Sequence, residues 1–248
     1  MKAKLNWLIS VLSITLLAFS VSASMMIPSN DKAKENSNAP ENSPVIDENW
    51  ELERVDFIHY VKPGNPGKPG KTETCYKLIG VKWKSPVTYV INPGNSQGLG
   101  EAFITSAIST SAETWDASTS SEVFDDAYTV EYTAVYGVQD FVNGIDFGDY
   151  PDDGVIAITS VWYTPKGRQI VEFDMRFNTR FSWGDTNPEK MDLQNIATHE
   201  LGHAVGLGDV YSTPCSAVTM YGYSDYGESQ KRTLEQPDIT GLQKMYGA

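Results

Sequence analysis

The spacing of apolar side chains predicts three helices. Over Gly100–Asp116, apolar residues recur every three or four positions, which is typical of an amphipathic helix with one face toward a core. A second helix is expected from about Pro188 to Gly206. After a long coil, a last helix is expected over Pro237–Tyr246, where the proline suits the first helical turn.

Four other segments have the alternating or β-branched pattern of strands. They are separated by Gly, Asp or Pro, and they span Val87–Ile91, Tyr128–Tyr136, Val155–Tyr163 and Ile170–Asn178. Along the chain the order is strand, long helix, several strands, helix, coil and helix. This order predicts an α+β (mixed α/β) domain of roughly 170 residues.

Residues 1–23 have the pattern of a secretory signal peptide. Lys2 and Lys4 precede an apolar run, Leu5–Phe19, and Val21-Ser22-Ala23 supplies small or neutral residues at the cleavage positions. The alternative is an uncleaved membrane anchor, but the run is shorter than the roughly 20 apolar residues of a full span. We therefore expect a secreted, extracellular protein, which would stay at the cell surface only if the signal were retained.

A polar segment follows the signal. Residues 24–74 are rich in Asn, Ser, Pro, Glu and Lys, so we expect a largely disordered pro-segment and linker. Within it, the apolar island 55–61 is interpreted as a strand-like piece of a pro-segment, and the Pro/Gly stretch 63–70 is interpreted as the domain boundary. The folded domain is expected to span 75–248.

The charge balance argues against two classes of partner. The chain has 19 basic and 32 acidic residues, a net charge of −13 and a pI near 4.6. Nucleic-acid binders usually carry a basic face, and anionic membrane surfaces attract basic segments. We therefore expect no nucleic-acid partner and no membrane contact once the signal is removed. We also expect a monomer.

Two of the three histidines, His199 and His203, stand four positions apart in the second predicted helix. On a helix they project from one face about one turn apart, and two imidazole nitrogens in that arrangement can bind one zinc ion. Glu200 follows the first of them and points toward the same cleft without binding the metal. We expect Glu200 to act as the general base on water at the metal.

The third ligand is expected to be Asp209. Gly206, three residues after His203, would let the helix stop in a left-handed turn so that the chain doubles back toward the metal. The remaining histidine, His59, precedes the linker, so no third histidine is expected in the folded domain and a carboxylate would serve instead. A catalytic zinc site has three protein ligands of this kind and an open fourth position.

The extended pattern H-E-x-x-H-x-x-G-x-x-D over residues 199–209 resembles the zinc signature of the metzincin peptidases. Residues 216–223 resemble the methionine-containing tight turn of that clan, with Met220 as the methionine. Within the clan, the chain is most similar to the matrixins, the matrix metalloproteinase-like group. Three further stretches, 83–89, 107–115 and 234–247, resemble the matrixin opening strand, first helix and C-terminal helix.

The resemblance implies a zincin-like catalytic domain: a twisted mixed sheet with an active-site helix, a Met-turn and a C-terminal helix. Val155–Tyr163 would be the upper edge strand, and an extended peptide substrate would bind along it. The implied activity is that of a secreted zinc endopeptidase acting on proteins or peptides. In it, zinc would polarise the scissile carbonyl and Glu200 would move the protons.

The chain departs from the matrixin pattern. Matrixins usually have histidine where this chain has Asp209, and proline where it has Gly222. The histidines that hold their usual structural zinc are lacking, and the cysteine-containing inhibitory motif of their pro-segment is not clearly present. An aspartate ligand would add negative charge and make the bound water less acidic.

An acidic loop, Asp140–Asp153, suits a calcium ion because carboxylates and carbonyls are its preferred ligands, and Glu172 and Asp174 could join such a site. A solvated acidic loop is an equal alternative. A tyrosine-rich region either lines the substrate pocket or packs for stability; its members are Tyr211, Tyr221, Tyr223 and Tyr226.

Two other functions compete with the peptidase. One is a non-catalytic extracellular binding module stabilised by metal, which the intact Glu200 argues against, because a structural site has no use for a general base. The other is a zinc amidase that acts on cell-wall peptides.

The two cysteines, Cys75 and Cys215, are expected to form a disulfide, since an exported protein meets an oxidising compartment. The alternative is that Cys75 is an inhibitory thiolate bound to the zinc. That would leave Cys215 as a lone free thiol in a secreted protein, which is unusual.

Overall fold

The computed structural model describes residues 51–63 and 74–248, and all of these belong to one compact unit. The predicted signal peptide and most of the predicted polar segment lie outside the described residues, so their boundaries stay predictions. In the part of the chain that the structure describes, no helix combines the length and apolar character that crossing a membrane requires.

The predicted helices are confirmed as α1 (Glu101–Asp116), α2 (Leu193–Ala204) and α3 (Gln236–Tyr246). Helix α2 begins later than the expected Pro188. Its N-terminus is fixed by Asp192, whose side chain accepts a hydrogen bond from the N–H of Asn195 at 2.9 Å.

The strands, in chain order, are β1 (Glu53–Val61), β2 (Lys77–Leu78), β3 (Val90–Ile91), β4 (Thr129–Val130), β5 (Gly144–Gly148), β6 (Val155–Tyr163), β7 (Ile170–Asn178), β8 (Trp183–Gly184), β9 (Met191–Asp192), β10 (Leu207–Gly208) and β11 (Tyr223–Ser224). Seven of them form one mixed sheet in the order β11-β1-β6-β7-β5-β3-β4. Strand β6 is antiparallel to both neighbours, and the other pairs are parallel. This sheet with its helices confirms the predicted α+β class.

Strands β6 and β7 match their predicted bounds, whereas three other assignments change. Of Val87–Ile91, only Val90–Ile91 is a strand, with a single bridge from Val87 to Phe124. The strand predicted over Tyr128–Tyr136 is wrong beyond Thr129–Val130. Its alternating side chains do not meet a core, and Tyr132 and Val135 are exposed. Strand β5 was missed because it lies within the acidic, Gly-containing loop.

The apolar island before the linker forms β1, and β1 lies between β6 and β11 in the sheet. Its register with β6 runs from Glu53 opposite Tyr163 to Tyr60 opposite Val155. The expectation that Val155–Tyr163 is an edge strand is therefore wrong for this chain. A segment from before the linker already pairs with that edge.

Helices α1 and α2 pack against each other beneath the sheet, and two tryptophans bond α2 into the core. Trp115 Nε1 donates to the carbonyl of Thr198 and Trp83 Nε1 to that of Ala204, both at 2.8 Å. The predicted disulfide between Cys75 and Cys215 is present. It joins the beginning of the domain to the segment before Met220 and rules out an inhibitory thiolate at Cys75.

Candidate metal centre

Helix α2 brings two imidazoles together, as their spacing predicts. The Nε2 atoms of His199 and His203 lie 3.2 Å apart, and both side chains are fully buried. Each Nδ1 faces a backbone carbonyl: His199 Nδ1 lies 2.7 Å from Thr219 O and His203 Nδ1 lies 2.9 Å from Leu207 O. A proton on Nδ1 satisfies those carbonyls and leaves each Nε2 lone pair free for a metal.

The glycine after the helix has the predicted left-handed conformation. Gly206 has a φ of 102°, and a Cβ there would lie 2.3 Å from the carbonyl oxygen of Val81. The chain therefore reverses at the end of α2 without a side chain in the way. Three residues later, Asp209 Oδ1 lies 3.2 Å from His199 Nε2 and 3.5 Å from His203 Nε2.

These three atoms fit a zinc ion. Ligands at about 2.0–2.1 Å from a tetrahedral metal lie roughly 3.3 Å from one another, which is close to the three separations found here. Although Asp209 Oδ1 lies near both imidazoles, it is buried without a hydrogen-bond partner of acceptable geometry among the described residues. Two imidazole nitrogens that converge with an unpaired carboxylate oxygen are the arrangement expected around a cation.

Protonation at this site follows from burial and from charge. Burial lowers the pKa of His199 to about 4, which favours the neutral form that metal binding requires. Burial also lowers the pKa of His203, but the carboxylate of Asp209 outweighs it and raises that pKa. Burial alone would raise the pKa of Asp209, whereas the two imidazoles bring it well below its usual range.

Glu200 lies beside the three ligand atoms and is fully buried. Its Oε2 accepts a hydrogen bond from Thr159 Oγ1 at 2.6 Å, and its Oε1 lies 3.0 Å from Nδ1 of His59. Burial raises the pKa of Glu200 to about 7, with the hydrogen bond from Thr159 opposing that rise. A carboxyl that exchanges a proton near neutral pH is suited to acid–base chemistry.

His59 is the residue that sequence reasoning misplaced. It was excluded from the folded domain because it precedes the linker, yet it lies in β1 and its ring packs 3.9 Å from that of His199. One ligand atom from each of His59, His199 and Glu200 lies within 4.8 Å of the others, so the site has a second triple of possible ligands. The alternation of apolar residues around His59 was the available signal that its side chain faces a core.

The residues beneath α2 explain two features of the sequence. Met220 is fully buried under the helix, and a Cβ on Gly202 would lie 2.2 Å from its Sδ. Glycine at this position of the helix therefore lets the methionine pack directly against its backbone. Asp238 holds the Met-turn (residues 216–223), because its carboxylate accepts hydrogen bonds from the N–H groups of Thr219 and Met220 at 2.9 and 3.2 Å.

A buried lysine supports the neighbouring wall of the site. Lys231 Nζ donates to the carbonyls of Tyr221 and Tyr223 and to Ser224 Oγ, each at 2.7 Å. Burial lowers its pKa to about 8.

Gly222 lies in the same wall, at the position where matrixins usually have proline. A Cβ on Gly222 would lie 2.4 Å from the ring of Tyr211, so glycine at this position lets that tyrosine pack against the backbone. The hydroxyl of Tyr211 donates to Asp209 Oδ2 at 3.2 Å.

The acidic residues proposed for calcium have protein partners. Asp174 accepts from the N–H groups of Gly137 and Gly144, and Glu172 accepts from the N–H of Phe141. Asp146 pairs with Arg176, and both Asp149 and Asp153 pair with Arg180. Among the described residues, neither triple of converging ligand atoms includes a member of this loop. Calcium binding stays a prediction that these contacts do not support.

We compared the sequence with models of known families and with known proteins. The matrixin family model matches residues 82–247 of this chain. Matrix metalloproteinase-25 of Homo sapiens is 34% identical over 110 residues, which is 44% of this chain and 19% of that protein. Its counterpart in Mus musculus is 28% identical over 176 residues, 69% of this chain and 28% of that protein.

Matrilysin of Homo sapiens is 34% identical over 117 residues, which is 46% of this chain and 42% of that protein. The matched region thus spans between about a fifth and two fifths of the length of these curated relatives.

Proposed function

Because this chain belongs to the matrixin family, we propose that it is a zinc-dependent endopeptidase that hydrolyses protein or peptide substrates. The convergence of His199 Nε2, His203 Nε2 and Asp209 Oδ1 beside the buried Glu200 carries this proposal. Two of the relatives named above are matrix metalloproteinases by name. The residues that the family model matches, 82–247, include the site. Our proposal is limited to the region of those proteins that this chain matches.

The ligands proposed for zinc are His199, His203 and Asp209. Two neutral imidazole nitrogens and one carboxylate oxygen are a common catalytic set, and they leave a fourth position for water or substrate. Zinc held there would supply Lewis-acid chemistry for water and for the scissile carbonyl. The carbonyls of Thr219 and Leu207 orient the two rings through their Nδ1 atoms.

Glu200 is proposed to move the protons. Its carboxylate would accept a proton from the attacking water and return it to the nitrogen of the leaving amine. Thr159 fixes one oxygen, Oε2, by hydrogen bonding, so the other oxygen, Oε1, is the one proposed to exchange the proton. Burial favours this exchange near neutral pH because it raises the pKa of the carboxyl to about 7.

The substrate is proposed to bind as an extended strand between β6 and β11. These strands provide backbone donors and acceptors on both sides of one strand-wide cleft, and that is how β-addition binds peptides without strict sequence demands. The signal-like N-terminus supports export, so we propose an extracellular site of action.

Hydrolysis of casein and gelatin by the purified protein, before and after zinc removal with a chelator, tests this function. We expect hydrolysis that is lost with the zinc and restored by adding it back. Zinc bound without hydrolysis of any protein would favour the metal-stabilised binding module. Hydrolysis of cell-wall peptides without cleavage of casein or gelatin would favour the amidase.

A further inference from the structure

The two oxygens of the Asp209 carboxylate have different neighbours. Oδ1 lies 3.2 Å from His199 Nε2 and 3.5 Å from His203 Nε2. Oδ2 accepts a hydrogen bond from the hydroxyl of Tyr211 at 3.2 Å. A carboxylate can bind a metal through either oxygen or through both. A donor that holds one oxygen therefore selects the other as the metal ligand.

The segment that carries Tyr211 is tied to the Met-turn by main-chain bonds. The N–H of Val210 donates to the carbonyl of Met220 at 2.9 Å, and the N–H of Gly222 donates to the carbonyl of Val210 at 3.0 Å. Val210 thus forms a parallel bridge with Tyr221. Because the residue before Tyr211 is fixed in this way, its ring lies against the backbone at Gly222.

The space for this ring exists because residue 222 is glycine. A Cβ on Gly222 would lie 2.4 Å from Cε1 and 2.7 Å from Cζ of Tyr211, and 3.0 Å from Asp209 Oδ1. On another side the ring packs edge-on against Tyr223, with ring centroids 5.2 Å apart. Matrixins usually have histidine at position 209 and proline at position 222. The two departures of this chain from that pattern therefore meet at Tyr211.

Asp209 is the proposed ligand that solvent can reach. Its side chain is 9% exposed, whereas those of His199 and His203 are fully buried. Beside it lies a surface cavity of about 610 Å³, which is lined by Thr74, Tyr76, Lys77, Asp209, Val210 and Tyr211. Without the hydroxyl of Tyr211, water from this cavity would bond to Oδ2 but would not fix the direction of the carboxylate.

We propose that Tyr211 is a positioning residue for Asp209, whose hydroxyl restrains Oδ2 so that Oδ1 alone is directed at the metal. This inference rests on the proposed function through the zinc ligands named there. Gly222 contributes by leaving room for the ring of Tyr211. Removal of the hydroxyl should weaken metal binding and release the second carboxylate oxygen.

Zinc affinity of the full chain is the first test. The dissociation constant is measured by competition with a chromogenic chelator for wild type, Tyr211→Phe and Tyr76→Phe. The control removes a hydroxyl from the same cavity, where Tyr76 bonds to Lys244 instead of Asp209. We expect Tyr211→Phe to bind zinc about tenfold more weakly, the lower end for an outer-shell partner because this tyrosine is half-exposed, and Tyr76→Phe to stay within about twofold of wild type.

Cobalt(II) in place of zinc separates positioning from packing. The visible absorption of this ion decreases as its coordination number rises, so it reports whether Asp209 binds through one oxygen or through both. We expect Tyr211→Phe to lose visible absorption per bound cobalt and Tyr76→Phe to match wild type. Weaker metal binding by Tyr211→Phe with an unchanged spectrum would assign it a packing role and overturn the inference.

A double-mutant cycle tests the part played by Gly222. Gly222→Ala is made in the wild type and in the Tyr211→Ala chain. In the wild type it should weaken zinc binding at least about fivefold, because the new Cβ displaces the ring. In the Tyr211→Ala chain, which lacks that ring, the effect should be at most about twofold. Equal weakening in both chains would mean that residue 222 acts on Asp209 directly, which would overturn its role through Tyr211.

Failure of this inference differs from failure of the proposed function. If wild type binds zinc and Tyr211→Phe binds it as tightly as Tyr76→Phe, Tyr211 does not position Asp209 and the proposed function stands. If wild type binds no zinc, the proposed function is refuted, and the role of Tyr211 is refuted with it.

Discussion

Helix α2 and strand β1 meet at the metal centre, and they are held in different ways. Helix α2 is fixed from several sides: by two tryptophan hydrogen bonds to its carbonyls, by Met220 packed against Gly202, and by the capping side chain of Asp192. Strand β1 is held mainly by main-chain pairing along its edges. Its side chains add two ring contacts with the imidazoles of α2, the contact of His59 with Glu200, and a hydrogen bond that Asp56 accepts from Ser160.

This difference separates contacts that depend on particular side chains from contacts that another peptide segment could make. The contacts of α2 depend on particular side chains at particular positions, so the helix and its ligands form one packed unit with the core. Most bonds of β1 are main-chain bonds, which any extended peptide can make. We therefore expect substitutions in α2 to abolish activity or to lower stability. Substitutions in β1 should instead alter access to the metal site.

The largest expected effect is that of Glu200→Ala on hydrolysis. Loss of a general base typically lowers the rate about 10²–10⁴-fold, while zinc content and folding should remain because Glu200 is not a proposed ligand. The control is Glu189→Ala, an exposed glutamate before α2. The measurement is the rate of casein hydrolysis per bound zinc, and wild-type rates in Glu200→Ala would refute the proton-transfer role.

The second largest effect is expected for Gly202→Ala, a substitution that disturbs the packing beneath α2. Gly202→Ala places a Cβ 2.2 Å from Met220 Sδ and 2.7 Å from Trp115 Cζ2, so either the helix or the methionine must move. We expect a loss of roughly 2–3 kcal/mol in the free energy of unfolding, measured with urea. Gly100→Ala, where a Cβ meets nothing within 4 Å, is the control. The loss of a preferred N-cap residue and the reduced entropy of the unfolded chain oppose each other there, so we expect a change below about 1 kcal/mol. Equal losses would mean that α2 is not tightly packed.

The pH dependence of the unfolding free energy tests the burial of Lys231, which supports the wall that includes β11. Burial lowers its pKa from 10.5 to about 8. Below pH 8 the lysine is protonated in both states; between 8 and 10.5 the folded chain releases the proton first, so this group makes folding more favourable as pH rises. From pH 7 to 9.5, wild type should gain about 1–2 kcal/mol in unfolding free energy relative to Lys231→Met. A constant difference between the two proteins would contradict the lowered pKa.

Hydrogen exchange compares β1 with an inner strand directly. Strand β1 buries two of its nine residues and pairs with β11 only at its C-terminal end, whereas β7 buries eight of nine residues and pairs with both β6 and β5. We expect the amides of β1 to exchange at least about tenfold faster than those of β7, and Phe57→Ala to accelerate only β1. Identical protection of the two strands, or acceleration of both by the variant, would show that β1 belongs to the same cooperative unit.

The sequence was most informative where structure depends on neighbours along the chain. Helix α1 and strands β6 and β7 follow from local periodicity, and the two imidazoles follow from their helical spacing. The turn at Gly206 also follows from local chemistry, because only a glycine tolerates the backbone that brings Asp209 back to the imidazoles.

Features that depend on distant partners could not be predicted in this way. Strand β1 has a strand-like pattern, but its pairing with β6 and β11 is a tertiary contact across the linker. Assigning His59 to a separate segment was a reasonable inference from composition, and it was wrong. Thr159 and Asp238 carry no local signal of their contacts with Glu200 and the Met-turn, since both partners are remote in sequence.

The central claim is that His199, His203 and Asp209 hold one zinc ion. It is tested most directly by the zinc-to-protein ratio after dialysis against a mild chelator, measured for wild type, Asp209→His and Asp209→Ala. Imidazole can replace the carboxylate as a ligand and a methyl group cannot. The account predicts about one zinc per chain in wild type, substantial retention in Asp209→His and loss in Asp209→Ala. Equal retention by the alanine and histidine variants would contradict it.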